Sequence, residues 1–180
     1  MAIEPRAFLT TMETRISLTA EDKKIMQANT DWGTAVAEEM ANHFYEFLGR
    51  DAEMSGILNA TEGRVHRLHA TFIDWFNQMF TGMDNWGDEY AKCRWHIGLV
   101  HVKIGIGPQH VVPAMAVVVD KVGKKLKADE LKDALAKVCM IDLAFIEQAY
   151  VEVSSAAVLK ETGWSAALFR RLIATGASDM

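Results

Sequence analysis

The clearest pattern along the chain is Val65, Leu68, His69, Phe72, Ile73, Phe76, Met79 and Phe80, with steps of three and four between them. That period puts these side chains on one face of an amphipathic helix. Gly82 and the Asp84-Asn85 pair end it. A second helix is predicted from about Asp31 to Arg50, carrying Val36, Met40, Phe44, Tyr45 and Leu48 on neighbouring turns. Thr19, followed by Ala20, Glu21 and Asp22, is a capping-type start for an earlier one. A long last helix begins near Ala128 and carries Leu131, Leu135, Val138, Phe145, Ala149 and Val153. Beyond it, Ala166, Leu168, Leu172 and Ile173 predict a short docking helix in the tail. The prolines, Pro5, Pro108 and Pro113, leave the segments between them free to stay helical. The prediction is an all-α protein in a single domain over 1–180, with its core at about 19–158 and a tail at 160–180.

One segment pulls the other way. Val100, Val102, Ile104 and Ile106 alternate with His101, Lys103, Gly105 and Gly107, which is the period of a strand. The same residues also continue a helix from Glu89 through Tyr90, Ile97, His101 and Ile104, stopped by a glycine. Local pattern does not choose between the two.

Composition narrows the function classes. The longest apolar run, Val111 to Val119, is far shorter than the ~20 residues a membrane-spanning helix needs. The first residues lack the layout of a secretory signal, and two cysteines, Cys93 and Cys139, fit a reducing cytoplasm. Net charge is −5 with the basic residues scattered, which argues against a nucleic-acid partner. Gly105-x-Gly107 has His110 where a dinucleotide fingerprint wants its third glycine. His66 and His69 sit at helical i,i+3 spacing, but no matched acidic or second histidine pair completes a metal cage. No hydrolase or transferase signature stands out. His101, on an apolar helix face, reads either as a hydrogen-bonded core residue or as an axial ligand, since neutral imidazole is a common ligand of heme iron.

The string Ile97-Gly98-Leu99-Val100-His101-Val102-Lys103-Ile104-Gly105-Ile106-Gly107-Pro108 resembles the proximal motif of the globin-coupled sensor and protoglobin family. Phe44-Tyr45-Glu46-Phe47-Leu48 is similar to the family's distal tyrosine segment, and Arg67-Leu68-His69-Ala70-Thr71 to its distal helix. Ile141 to Tyr150 resembles its final helix, so the resemblance runs over roughly 19–155. It implies a globin-like helical sandwich with an extra N-terminal helix, and it favours the helical reading of Glu89 to about Ile104. It also implies heme b, held by His101 as the metal ligand, with Tyr45, Leu68 and Thr71 on the distal side and Ile97 and Ile104 against the ring. Tyr90 and Arg94 share the proximal stripe, while Arg64 and Trp75 extend the distal one. Where the family commonly has a tryptophan and another aromatic after the Pro108-x step, His110 and Val111 stand here.

The function implied is binding of O2, with CO and NO as further ligands, by a non-enzymatic sensor-type globin. The full sensors carry a transmitter domain and this sequence ends at Met180, so output is expected through a partner in trans. The alternatives are a heme-free globin-like signalling module and a heme enzyme such as a nitric oxide dioxygenase. Apolar residues on two sides of the last two core helices, among them Val118, Val119, Val122, Ala149, Val153 and Ala157, predict a symmetric homodimer. Tyr45 is expected to be the chief hydrogen-bond donor to bound gas, with loss of its hydroxyl speeding oxygen release about ten- to a hundredfold.

Overall fold

The computed structural model describes residues 3–126 and 128–178. Among them are nine helices and no strand: α1 (Pro5–Ile16), α2 (Ala20–Ala28), α3 (Thr30–Leu48), α4 (Ala52–Leu58), α5 (Arg64–Thr81), α6 (Asp88–Lys103), α7 (Pro108–Lys125), α8 (Asp129–Thr162) and α9 (Ala166–Ser178). The all-α prediction holds. The contested segment resolves as helix through Lys103, and Gly105 then takes a positive φ of 75° to turn the chain toward α7.

Local chemistry accounts for the helix boundaries. Glu4 caps α1 by accepting from the Arg6 and Ala7 amides, and Pro5 occupies the first turn, where its missing N–H costs nothing. The capping box at α2 forms as predicted: the Thr19 hydroxyl accepts from the Asp22 amide, and the Asp22 carboxylate accepts from the Thr19 amide. Asp84 serves the start of α6, accepting from the amides of Gly87, Glu89 and Tyr90. Those amides hold its carboxyl below its ordinary pKa even though burial pushes the other way. Gly82 ends α5 at a φ of +66°, with the Trp86 ring lying where a β-carbon would stand.

Two groups of helices share one core. The widest interface is α6 against α8, with α1 and α2 also lying on α8. On the other side, α3 packs on α5 and α7. Gly98 makes the α6–α8 approach possible: a β-carbon there would sit 2.9 Å from both the Ala149 methyl and the Phe145 carbonyl oxygen. The α5 stripe delivers Phe72, Phe76, Met79 and Phe80 to the interior, as its period requires. Helix α1, which local pattern did not single out, buries Leu9 completely and sets Phe8 edge-on to Phe145 at 4.9 Å. The packed core therefore reaches ahead of residue 19. A second apolar cluster lies apart from the main one, built on Leu48, Met54, Leu58, Ile106, Val111, Ala114 and Ile146.

The expected two-sided apolar faces are only partly free. Val118, Val122 and Ala149 are buried within the chain and Val119 is half-buried, so they belong to this domain's own core. The apolar surface that remains lies on the C-terminal half of α8, with Val151, Val153 and Val158, and on α9, with Leu172 and Ile173. Helix α9 forms where predicted but buries none of its residues.

Candidate functional site

His101 sits in the last turn of α6, half-buried. Its Nδ1 lies 2.9 Å from the Ile97 carbonyl, one turn back. A carbonyl only accepts, so Nδ1 carries the proton, and in the neutral ring Nε2 keeps the lone pair. Burial lowers the pKa of the ring, outweighing the opposing effect of the Ile97 carbonyl, so the neutral form prevails at pH 7. The backbone is held as well: the His101 carbonyl accepts from the Tyr150 hydroxyl of α8 at 3.1 Å and from the Ile106 amide at 3.1 Å. A neutral imidazole, fixed in tautomer by a backbone carbonyl and anchored on two sides, has the donor chemistry of an axial ligand.

The other expected site residues lie on α3 and α5. Tyr45 donates its hydroxyl to the Leu68 carbonyl at 2.9 Å. Its ring stacks on His69 with centroids 4.5 Å apart, and it meets Phe44 edge-on. Burial raises the pKa of the phenol, so the hydroxyl remains a donor at any physiological pH. Tyr45, Leu68 and Ile97 all pack against the second apolar cluster. The structure thus brings three of the sequence-predicted residues together on one apolar body, with His101 a turn beyond Ile97.

Two others lie outside that body. Thr71 is exposed and turns its hydroxyl back to the Arg67 carbonyl at 3.1 Å. Ile104 caps α6 and is 41% exposed. His66 is exposed and His69 is taken up by the Tyr45 stack, so the i,i+3 pair forms no metal site.

The stripes drawn from sequence need correction at their far ends. Tyr90 and Arg94 do not continue a wall beside His101; they are fully buried against α8. Asp142 is the centre of that network. It accepts from the Tyr90 hydroxyl and the Trp75 indole at 2.8 Å each, and its carboxylate pairs with Arg94 Nε at 2.8 Å. Arg94 also donates to Gln78 and to the Trp75 carbonyl, and its guanidinium lies over the Tyr90 ring. Burial works against the Arg94 charge, but the adjacent Asp142 more than offsets it and holds the pKa of the group above its ordinary range. At the distal end, Arg64 is tied to the Ile57 carbonyl at 2.6 Å. A helix of 3.6 residues per turn carries a stripe around its axis, so residues two turns apart face different neighbours.

Sequence reasoning missed the Tyr45–His69 stack and the tie from Tyr150, since both depend on how separate helices meet. Gly98 had a visible signal, a glycine inside a helical pattern beside the motif.

The comparisons with known proteins bear on the family and the fold. The family model described as Protoglobin matches residues 9–155. Among solved structures, the chain is similar to the globin domain of a Geobacter sulfurreducens globin-coupled sensor, with a TM-score of 0.71 and 22% identity over 78% of this chain and 96% of that one. At that identity the likeness establishes the fold, which is the globin fold. Among curated proteins no sequence matches the chain.

Proposed function

The chain belongs to the protoglobin family, and on that premise we propose that it binds heme b through His101 and takes up diatomic gas, oxygen foremost, beside Tyr45. The observation that carries the proposal is the state of His101: a neutral ring with Nδ1–H committed to Ile97, which leaves Nε2 free to ligate. When bound, heme supplies an iron atom with a coordination position for the gas. The chain supplies the rest. The Ile97 carbonyl orients the ligating ring and Tyr150 holds the His101 backbone, and the apolar cluster beneath Leu68 and Ile97 excludes water. Tyr45 brings the chief hydroxyl donor, while Thr71, expected as a secondary donor, is exposed and bonded to the Arg67 carbonyl, so it has to turn to contribute. Ile104, exposed at the C-cap of α6, is left as an apolar surface for the ring edge to cover.

The use we propose is gas sensing, with output through a partner chain. A homodimer forms on the exposed apolar side of α8 and α9. No helix among the described residues is long and apolar enough to cross a membrane. Absorption spectra of the purified chain, oxidised and reduced, test the proposal directly. His101→Ala should lose stoichiometric heme or the normal spectrum. Should that variant keep a wild-type spectrum while His96→Ala or His69→Ala loses it, the ligand is not His101. A purified chain that takes up no heme would instead support the heme-free signalling reading.

A further inference from the structure

We propose a second ligand site, for a divalent first-row transition metal, formed by Asp51, Glu53 and His110 where α4 meets the first turn of α7. One donor atom from each lies within 4.8 Å of the other two. The His110 side chain is only 10% exposed, and its Nε2 is closed off from solvent without a hydrogen-bond partner. Glu53 Oε1 lies 3.4 Å away, off the line a hydrogen bond requires. Buried polar nitrogens are nearly always partnered, so one beside two carboxylates and bonded to neither calls for a third participant.

The carboxylates have the capacity to take part. Asp51 uses Oδ1 to accept from the Met54 amide at 2.8 Å, which leaves Oδ2 uncommitted. Glu53 is two-thirds exposed and free to swing. Among the described residues, no lysine or arginine pairs with either acid. One imidazole nitrogen and two carboxylate oxygens, with water completing the shell, make a borderline donor set suited to zinc and its neighbours rather than to calcium. Ligand bonds of about 2.0–2.2 Å need the donors closer together than they stand, and the exposed Glu53 and Asp51 side chains supply that movement. Met54 and Leu58 of α4 and Val111 of α7 belong to the apolar cluster under Tyr45, so an ion here ties two of its walls together. The site shares no residue with His101 or Tyr45, and it stands or falls independently of heme.

Isothermal titration calorimetry with zinc chloride on the full chain tests it. The expected result is one zinc per chain, weakened at least about tenfold in both Glu53→Gln and His110→Gln. His43→Gln, which removes another histidine–glutamate contact, leaves the binding unchanged. Glu53 lies at the surface, so its variant keeps the test open if His110→Gln fails to fold. Absence of stoichiometric zinc, or binding that Glu53→Gln leaves intact, overturns the site.

Discussion

Removing the Tyr45 hydroxyl is the most informative perturbation of the proposed gas site. In the folded chain that hydroxyl is already used: it donates to the Leu68 carbonyl at 2.9 Å. Donating to bound gas therefore means giving up one hydrogen bond to make another. A bond to a charge-bearing acceptor contributes about 1.5–3 kcal/mol and a neutral one about 0.5–1.5 kcal/mol. The difference is about 1–1.5 kcal/mol, or roughly five- to twelvefold in affinity at about 1.4 kcal/mol per decade. This is smaller than the ten- to hundredfold change expected from sequence, which took no account of the competing carbonyl. The His69 stack keeps the ring in place, so the hydroxyl moves by a small rotation rather than a swing of the whole side chain. Tyr45→Phe should raise the oxygen dissociation constant by that factor and change carbon monoxide, a weaker acceptor, much less. Flash photolysis for association and stopped-flow displacement for release measure both gases on the same preparation. Equal effects on the two gases, or none on oxygen, would show that another residue is the donor. A hundredfold loss would show that the Leu68 bond does not compete.

Four further outcomes follow from the packing. Arg94→Met leaves Asp142 buried without its cation and should cost about 3–5 kcal/mol in chemical denaturation, much of it regained in Arg94→Met/Asp142→Leu; a loss below about 1 kcal/mol would mean the pair is dispensable. Asp22 has its carboxyl pKa lowered, since its bonds to Lys137 and Thr19 outweigh burial. Its stabilising effect is therefore full above the unfolded value of about 3.9 and is lost as pH falls through the lower folded one. Asp22→Asn should cost about 0.5–1.5 kcal/mol at pH 7, and a gap from wild type that persisted unchanged to pH 2 would contradict the assignment. Gly98→Val forces a side chain into the α6–α8 contact and should cost about 1–3 kcal/mol by thermal unfolding, whereas a neutral result would mean the two helices separate freely there. Light scattering should give about twice the chain mass of 20.1 kDa at tens of micromolar; a mass near 20.1 kDa would exclude the dimer.

What the sequence determined by itself was local in character. The 3-4 periodicity of α5, the Thr19 capping box and the Gly82 stop each depend on residues within a turn or two of one another, and each forms as read. His101 was legible because its motif is contiguous, and so was its bond to Ile97, which lies one turn away in the same helix. Tertiary structure decided everything that required two helices to meet. The strand-like alternation at Val100–Ile106 is helical through Lys103, since α6 is held along α8 by the close approach at Gly98. Tyr90, Arg94 and Trp75, which read as parts of the proximal and distal stripes, are drawn instead to Asp142, about fifty residues further along in the case of Tyr90 and Arg94. Val118 and Val122, read as a free face, are covered by this chain's own helices. The physical reason is common to all three. Periodicity states which side of a helix is apolar, but a buried charge or an apolar face is satisfied by whichever partner the fold brings to it, and sequence spacing does not encode that partner.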